Sequence, residues 1–149
     1  YILNVRFAGD IHFSKKVECD VENVRVPSMI LQPVVENAVN HGIRNIDWEG
    51  HIDLSVEKWN DHIEISVRDN GLGMTGEQIQ RVLSKKVHSS SGEGDSTGIG
   101  MNNVISRLEL YYERDGLMEI YSEGEGMGTE VVINIPLERS EKNVQNPDC

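Results

Sequence analysis

Three short stretches of this chain combine residue types that could hold a polar ligand. The first is Leu31–Gly42 (LQPVVENAVNHG), where amide, imidazole and carboxylate side chains interrupt an apolar helical pattern. Asn37, Asn40 and His41 are three or four residues apart, which places them on one face of a helix, and Glu36 adjoins them. A helix that buries its other face could hold something polar with these groups.

The second stretch, Asp69–Met74 (DNGLGM), places an acidic residue at the end of a predicted strand, before a Gly-x-Gly turn. Ionised Asp69 accepts hydrogen bonds and donates none, and Gly71 and Gly73 would let a planar group approach the backbone. Residues 71–76 also match the dinucleotide pattern G-x-G-x-x-G. We interpret that match as fortuitous, because the preceding strand belongs to a hairpin, no parallel strand follows, and Asp69 would repel a pyrophosphate.

The third stretch, Ser96–Asn103 (STGIGMNN), is a flexible loop that becomes a helix through Gly98 and Gly100. Backbone N–H groups at such a helix start can bind an anion without a lysine. Each stretch alone has an ordinary structural interpretation, as buried polar residues, a turn or a loop. Together they indicate a site for a base, a metal and a polyphosphate.

The bulk properties restrict the function further. A chain of 149 residues is long enough for one domain with a real core. Its net charge of −11 argues against nucleic acid or an anionic membrane surface as a partner. Its two cysteines, Cys19 and Cys149, favour a reducing compartment over a structural disulfide. The start at Tyr1, without an initiator Met, predicts that the chain is part of something longer.

Alternating apolar residues predict the strands that must position these stretches. Ile11–Glu18 has the pattern of an edge strand, and His51–Val56 with His62–Val67 predicts a β-hairpin. A second hairpin joins Leu117–Tyr121 to Glu130–Ile135 across a glycine-rich turn. Hairpins separated by helices predict an α+β, two-layer sandwich, with a mixed, mostly antiparallel sheet and its helices on one face.

Three helices are predicted between these strands. The first is expected to start near Pro27, to bend at Pro33 and to stop at Gly42. The second follows a capping box at Thr75, and the third runs from about Gly100 to Tyr112, with Val104, Leu108 and Tyr111 in register. We expect one domain over residues 1–137, with residues 1–10 the end of a linker or dimerisation helix, and a polar, mobile tail over 138–149.

The order and wording of these motifs closely resemble the GHKL ATPase superfamily, in the form found in LytS/YesM-like sensor histidine kinases. Leu31–Gly42 resembles the N box, Asp69–Met74 the G1 box, and Thr97–Leu108 the G2 box. Gly126–Thr129 is similar to the final Gly-x-Gly-Thr element. The resemblance spans roughly Arg6 to Pro136, nearly all of the chain that we expect to be ordered.

The resemblance implies a Bergerat ATP-binding fold that binds ATP and Mg²⁺. It implies that Asn37 ligates Mg²⁺, that Asp69 accepts the adenine amino group, and that Thr129 supports Asp69. It implies catalytic roles for Glu36 and Asn37, with Glu36 as a general base or an orienter of Mg²⁺-bound water. The full set of implied ATP-binding residues is Asn37, Asn40, His41, Asp69, Gly71, Gly73, Met74, Thr97, Gly98, Ile99, Gly100, Met101, Asn103 and Thr129.

The resemblance further implies the catalytic domain of a two-component sensor histidine kinase. Such a domain supplies the ATP γ-phosphate to a histidine on an upstream dimerisation domain, for relay to a response regulator. The domain itself would be cytoplasmic, and its homodimeric parent would be anchored in the cell membrane.

The chain departs from the family pattern in two ways. No phenylalanine lies between Met74 and Gly98, so an F box is not evident, and none of the five histidines has a phosphoacceptor context. We therefore expect this chain to bind ATP but not to complete autophosphorylation alone. The alternatives are a GHKL-type serine kinase and a non-catalytic nucleotide-binding interaction module.

Overall fold

A computed structural model of the protein describes residues 11–17, 30–43, 46–84 and 96–137. In chain order the strands are β1 (Ile11–Val17), β2 (Gly50–Lys58), β3 (His62–Asp69), β4 (Met118–Tyr121) and β5 (Thr129–Pro136). The helices are α1 (Leu31–Asn37), which continues as a π-helical segment (Ala38–Ile43), α2 (Gly76–Leu83) and α3 (Ser96–Tyr112). The predicted linker end at residues 1–10, the helix start near Pro27 and the tail at 138–149 lie outside the described residues.

The strands form one five-stranded sheet in the order β1-β2-β3-β5-β4. β1 pairs parallel with β2, and every other pairing is antiparallel. The predicted α+β fold with a mixed, mostly antiparallel sheet is therefore confirmed, as are both hairpins and the edge position of β1. β5 lies between β3 and β4, which places its first residue, Thr129, opposite the last residue of β3, Asp69.

The core lies between one face of the sheet and the helices. The predicted apolar face of the first helix is buried, and it packs into one cluster with alternate residues of the central strands. Its largest fully buried side chains are Ile30, Ile52, Ile63, Met101, Leu108, Ile133, Ile135, Val34, Val67 and Val104. The opposite sheet face carries mostly polar side chains at the intervening positions, with the buried Val132 of β5 as an exception, as is common in an antiparallel sheet covered on one side.

The helix ends show where local sequence was sufficient. The capping box of α2 is present as predicted: Thr75 Oγ1 accepts from the Gln78 N–H at 3.1 Å, and Gln78 Oε1 accepts from the Thr75 N–H at 2.9 Å. α3 begins at Ser96, about four residues before the predicted start near Gly100. Tyr111 was wrongly placed in the core, because it is 55% exposed and Tyr112 packs against the core instead.

No helix in the described part of the chain is both long and apolar enough to span a membrane.

Candidate functional site

Asp69 is the centre of the candidate site. Alternation along β3 puts its side chain on the core face of the sheet, at the strand end, where it is only 7% exposed. Its Oδ1 accepts a hydrogen bond from the Gly71 N–H at 2.9 Å. Burial raises the pKa of Asp69 above its ordinary value of 3.8, while the backbone N–H groups of Gly71 and Thr129 pull that pKa back down. The site thus holds a hydrogen-bond acceptor that is largely removed from water.

The raised pKa predicts that Asp69 lowers the stability of the ligand-free protein at neutral pH. The folded chain holds this proton more tightly than the unfolded chain, so stability falls as the pH rises from 3.8 through the raised pKa. Asp69→Asn keeps an oxygen for Gly71 but removes the charge. We expect its melting temperature, without nucleotide, to exceed that of the wild type at pH 7, and the difference to shrink as the pH falls towards 3.8.

The matched control for that comparison is Asp61→Asn. Asp61 is fully exposed, and the hydrogen bond from His62 holds the pKa of Asp61 below its ordinary value. Neutralising Asp61 should therefore give no stabilisation at pH 7. Equal melting temperatures for the wild type and Asp69→Asn across the pH range would contradict a buried, destabilising charge at Asp69.

Three glycines from separate motifs bring backbone against Asp69 and its loop. A Cβ atom on Gly42 would lie 2.7 and 3.0 Å from the two carboxylate oxygens of Asp69. One on Gly71 would overlap the Gly42 carbonyl, and one on Gly128, where φ is +75°, would overlap the Asp69 carbonyl. The Leu72 N–H also donates to the Gly42 carbonyl at 2.8 Å. The N box, the G1 box and the final glycine element therefore meet around Asp69.

Gly42 was predicted to stop the helix, and that prediction is wrong. The helical segment runs through Gly42 to Ile43, widening into π-helical turns after Asn37. Position 42 requires glycine for a steric reason, because a side chain there would occupy the position of the Asp69 carboxylate. Wide turns of this kind are often found at functional sites.

The other N-box residues occupy different environments. The Asn37 Oδ1 atom is buried and has no hydrogen-bond partner, whereas Asn40 is exposed. Glu36 is exposed too, and its Oε1 accepts from Gln32 Nε2 at 3.0 Å. The side chain of His41 lies outside the described residues. Buried polar atoms are satisfied in the great majority of cases, so the Asn37 oxygen is the N-box atom that most calls for a ligand.

The G2 box begins inside α3. Because the helix starts at Ser96, its free N–H groups belong to residues 96–99, and the N–H of Gly100 falls in the second turn. The side chains of Thr97 and Ile99, and the surroundings of Gly98, lie outside the described residues. A Cβ on Gly100 would meet no heavy atom within 4 Å, so packing does not require glycine there.

Two other predicted G2 residues lie in different environments. Met101 was expected to bind nucleotide, but its side chain is 1% exposed and belongs to the core. Asn103 is exposed. Its neighbour Asn102, which sequence reasoning missed, has both amide atoms buried without a partner. Neighbouring asparagines in one motif are indistinguishable by type, and only the helix phase separates them.

Asn70 is a further residue that the sequence did not single out. Its Nδ2 donates to the Glu49 carbonyl at 2.8 Å, and its Oδ1 accepts from the His51 N–H at 2.7 Å. The Trp48 indole N–H donates to the Asn70 carbonyl at 2.8 Å. These hydrogen bonds hold the segment that leads into β2 against Asn70, which is the residue next to Asp69.

Known proteins resemble this chain in sequence over most of its length. The profile of the family described as "Histidine kinase-, DNA gyrase B-, and HSP90-like ATPase" matches residues 26–139. Sensor histidine kinase YpdA of Escherichia coli K12 is 33% identical over 125 residues, which cover 79% of this chain and 19% of YpdA. Sensor histidine kinase/phosphatase LytS of Staphylococcus aureus MRSA252 is 31% identical over 138 residues, which cover 92% of this chain and 23% of LytS. The chain thus spans about a fifth to a quarter of the length of these relatives.

Solved structures share the fold. The catalytic domain of histidine kinase ThkA superposes with a TM-score of 0.62 at 19% identity, covering 85% of this chain and 80% of the ThkA domain. The mycobacterial sensor histidine kinase MprB gives a TM-score of 0.58 at 20% identity, covering 85% of this chain and 82% of the MprB chain. At these identities the likeness establishes the architecture and leaves the activity to be argued from the site.

Proposed function

This chain belongs to the family of histidine kinase-, DNA gyrase B- and HSP90-like ATPases, and from that membership we propose that it is the ATP-binding catalytic domain of a two-component sensor histidine kinase. The observation that carries the proposal is the meeting of three motifs at the buried Asp69: Gly42 lies against its carboxylate, the Gly71 N–H donates to that carboxylate, and Gly128 lies against its backbone carbonyl. Motifs separated by up to 86 residues meet at one buried acidic residue, which a purely structural role for each motif would not require.

In this proposal Asp69 recognises adenine. Its ionised carboxylate is an acceptor only, and the exocyclic amino group of adenine is a donor. The Gly71 N–H holds one carboxylate oxygen at 2.9 Å, which fixes the side chain before any ligand arrives. A donor from the base would stabilise the ionised form and offset the burial that raises the pKa of Asp69. Thr129 supports Asp69 from the neighbouring strand through its backbone N–H.

Asn37 suits Mg²⁺ by the chemistry of its donor atom. Its Oδ1 is a neutral oxygen, buried and without a partner, and Mg²⁺ in nucleotide sites combines one or two protein oxygens with phosphate oxygens and water. When bound, Mg²⁺ supplies charge neutralisation of the phosphates during phosphoryl transfer. The free N–H groups in the first turn of α3, around Gly98, would hold the phosphates.

The reaction that we propose transfers the γ-phosphoryl group of ATP to a histidine ring nitrogen. The bond from the γ-phosphorus to the bridging oxygen of ADP breaks, and a phosphorus–nitrogen bond forms. We propose that the acceptor histidine belongs to a dimerisation domain upstream in a homodimeric, membrane-anchored parent, and that a response regulator then receives the phosphoryl group. In this proposal the exposed Glu36, whose Oε1 accepts a hydrogen bond from Gln32 Nε2, acts as a general base or orients Mg²⁺-bound water.

The direct test is calorimetric titration of this chain with ATP, with and without Mg²⁺. We expect the wild type to bind ATP more tightly in the presence of Mg²⁺, and Asn37→Ala to lose that difference, because the variant has no oxygen for the metal. Asn60→Ala, at the exposed turn between β2 and β3, should keep it. An unchanged Mg²⁺ effect in Asn37→Ala would contradict the assignment of Asn37.

The kinase step is tested by adding a phosphoacceptor dimerisation region in trans with labelled ATP. Acid-labile, base-stable label on that region indicates phosphohistidine and supports the proposal. Acid-stable label on serine would favour the serine kinase alternative. ATP binding with no transfer to any added acceptor would favour a non-catalytic interaction module.

A further inference from the structure

Ser122 is a half-buried serine between β4 and the glycine-rich turn that leads into β5. Its hydroxyl donates to the Gly128 carbonyl at 2.7 Å and accepts from the Met74 N–H at 3.0 Å. A longer contact, at 3.4 Å, comes from the Gly124 N–H. A serine hydroxyl offers one donor and two acceptor positions, so all three are used here.

The partners of Ser122 belong to the two loops that enclose Asp69. One is the G1 loop, residues 70–75, and the other is the glycine turn, residues 123–128. These loops are also joined directly, because the Gly126 N–H donates to the Leu72 carbonyl at 2.7 Å and the Gly128 N–H donates to the Gly71 carbonyl at 3.2 Å. The Ser122 side chain adds to these backbone hydrogen bonds, because its hydroxyl bonds to both loops at once.

The packing between the loops leaves no room for adjustment. At Gly73, where φ is +74°, an added Cβ would overlap the Gly124 carbonyl and lie 3.1 Å from Ser122 Oγ. Gly128, whose carbonyl accepts from Ser122, is itself pressed against the Asp69 carbonyl. A displacement at Ser122 would therefore reach both Gly73 and the backbone of Asp69.

We propose that Ser122 is a positioning residue for recognition of the purine base, acting through Met74 and Gly128 rather than by touching the ligand. This inference rests on the proposed function, in which Asp69 accepts the adenine amino group. Without the hydroxyl, the Met74 N–H and the Gly128 carbonyl lose their partner, and only the backbone hydrogen bonds hold the two loops together. Asp69 and Gly73 then no longer present a fixed surface to the base.

The test compares ATP with inosine triphosphate, which has a carbonyl where adenine has its amino group. The wild type should prefer ATP, because Asp69 can accept from an amino group but repels a carbonyl oxygen. In Ser122→Ala we expect ATP affinity to fall on the order of tenfold, and the ratio of ATP to inosine triphosphate affinity to fall towards one. Ser122→Thr, which keeps the hydroxyl, should restore most of both.

Ser66→Ala is the matched control, because Ser66 lies on the polar face of β3, three residues before Asp69. It should leave the affinity ratio unchanged. Should Ser122→Ala fail to fold, Ser122→Cys, which keeps the shape but bonds weakly, should give a ratio below that of Ser122→Thr.

A merely structural role for Ser122 predicts a different result. In that case Ser122→Ala would lower the melting temperature while the wild-type ratio persisted, and this outcome would overturn the inference. A wild type that binds both nucleotides equally, or neither, would overturn the proposed function instead. The two failures are therefore distinguishable in a single set of titrations.

Discussion

Asp69→Ala should weaken ATP binding by roughly ten- to a hundredfold, without loss of the fold. Removing a charged hydrogen-bond acceptor costs about 1.5–3 kcal/mol, which is that factor in affinity. The fold should survive because burial raises the pKa of Asp69, so its charge does not stabilise the ligand-free protein. Calorimetric titration with ATP measures the loss, and a thermal melt without nucleotide measures the fold.

The control is Asp61→Ala, which removes the same charge from the other end of β3, beyond His62. Both variants change the net charge of the protein by the same amount, so a difference between them cannot come from net charge and reports the environment of Asp69. We expect Asp61→Ala to bind ATP as the wild type does. An Asp69→Ala protein that bound ATP with wild-type affinity would show that Asp69 does not recognise adenine.

Asp69 also shows why the strand content was predictable from sequence. Along β3, Ile63, Ile65 and Val67 alternate with polar residues, and Asp69 continues the same phase onto the core face. A one-residue slip would turn every apolar side chain to solvent, so the phase of a half-buried strand is strongly specified locally. The position of Asp69 on the core face, at the end of that phase, was therefore predictable from sequence.

Strand order was less accessible, because pairing is a tertiary property. Nothing within β5 indicates that it lies between β3 and β4, yet this placement sets Thr129 opposite Asp69. The parallel pairing of β1 with β2 is likewise decided by the chain between them. The sequence therefore predicted a mixed, mostly antiparallel sheet but not the order of its strands.

The helical side of the site shows a second limit. The apolar pattern did not give the bounds of the third helix, because α3 begins four residues earlier than the glycines indicated. Met101 and Asn103 were assigned to the nucleotide by resemblance to the G2 box, yet the Met101 side chain lies in the core and the buried amide is that of Asn102. In contrast, Asn37 follows a well-defined apolar stripe, and its side-chain oxygen is buried without a partner.

Ser122 and Asn70 were beyond sequence reasoning for a different reason. Both act through backbone groups of distant loops, and backbone groups are the same at every position of a sequence. The partners of Ser122 are an N–H from residue 74 and a carbonyl from residue 128. The residue types at positions 74 and 128 therefore do not indicate the contact.

Gly71→Ala should damage both the fold and the site. The added Cβ would lie under 3.0 Å from three backbone atoms of Gly42, a separation that real Cβ atoms essentially never adopt. Backbone on both sides leaves no flexible side chain to move, so the end of the first helical segment must separate from the G1 loop. That shift would break the hydrogen bond from Leu72 to Gly42 and misplace Asp69.

We expect Gly71→Ala to lose about 1–3 kcal/mol of stability, as overpacked cores do, and to bind ATP too weakly for calorimetry. Gly76→Ala isolates the effect of a methyl group as such, because a Cβ there meets nothing within 4 Å and alanine favours the first turn of α2. Gly76→Ala should melt at or above the wild-type temperature and bind ATP normally. If Gly71→Ala did the same, the N box and the G1 box would not be in the tight contact on which recognition by Asp69 depends. The site would then have to be assembled by ligand binding rather than by the fold.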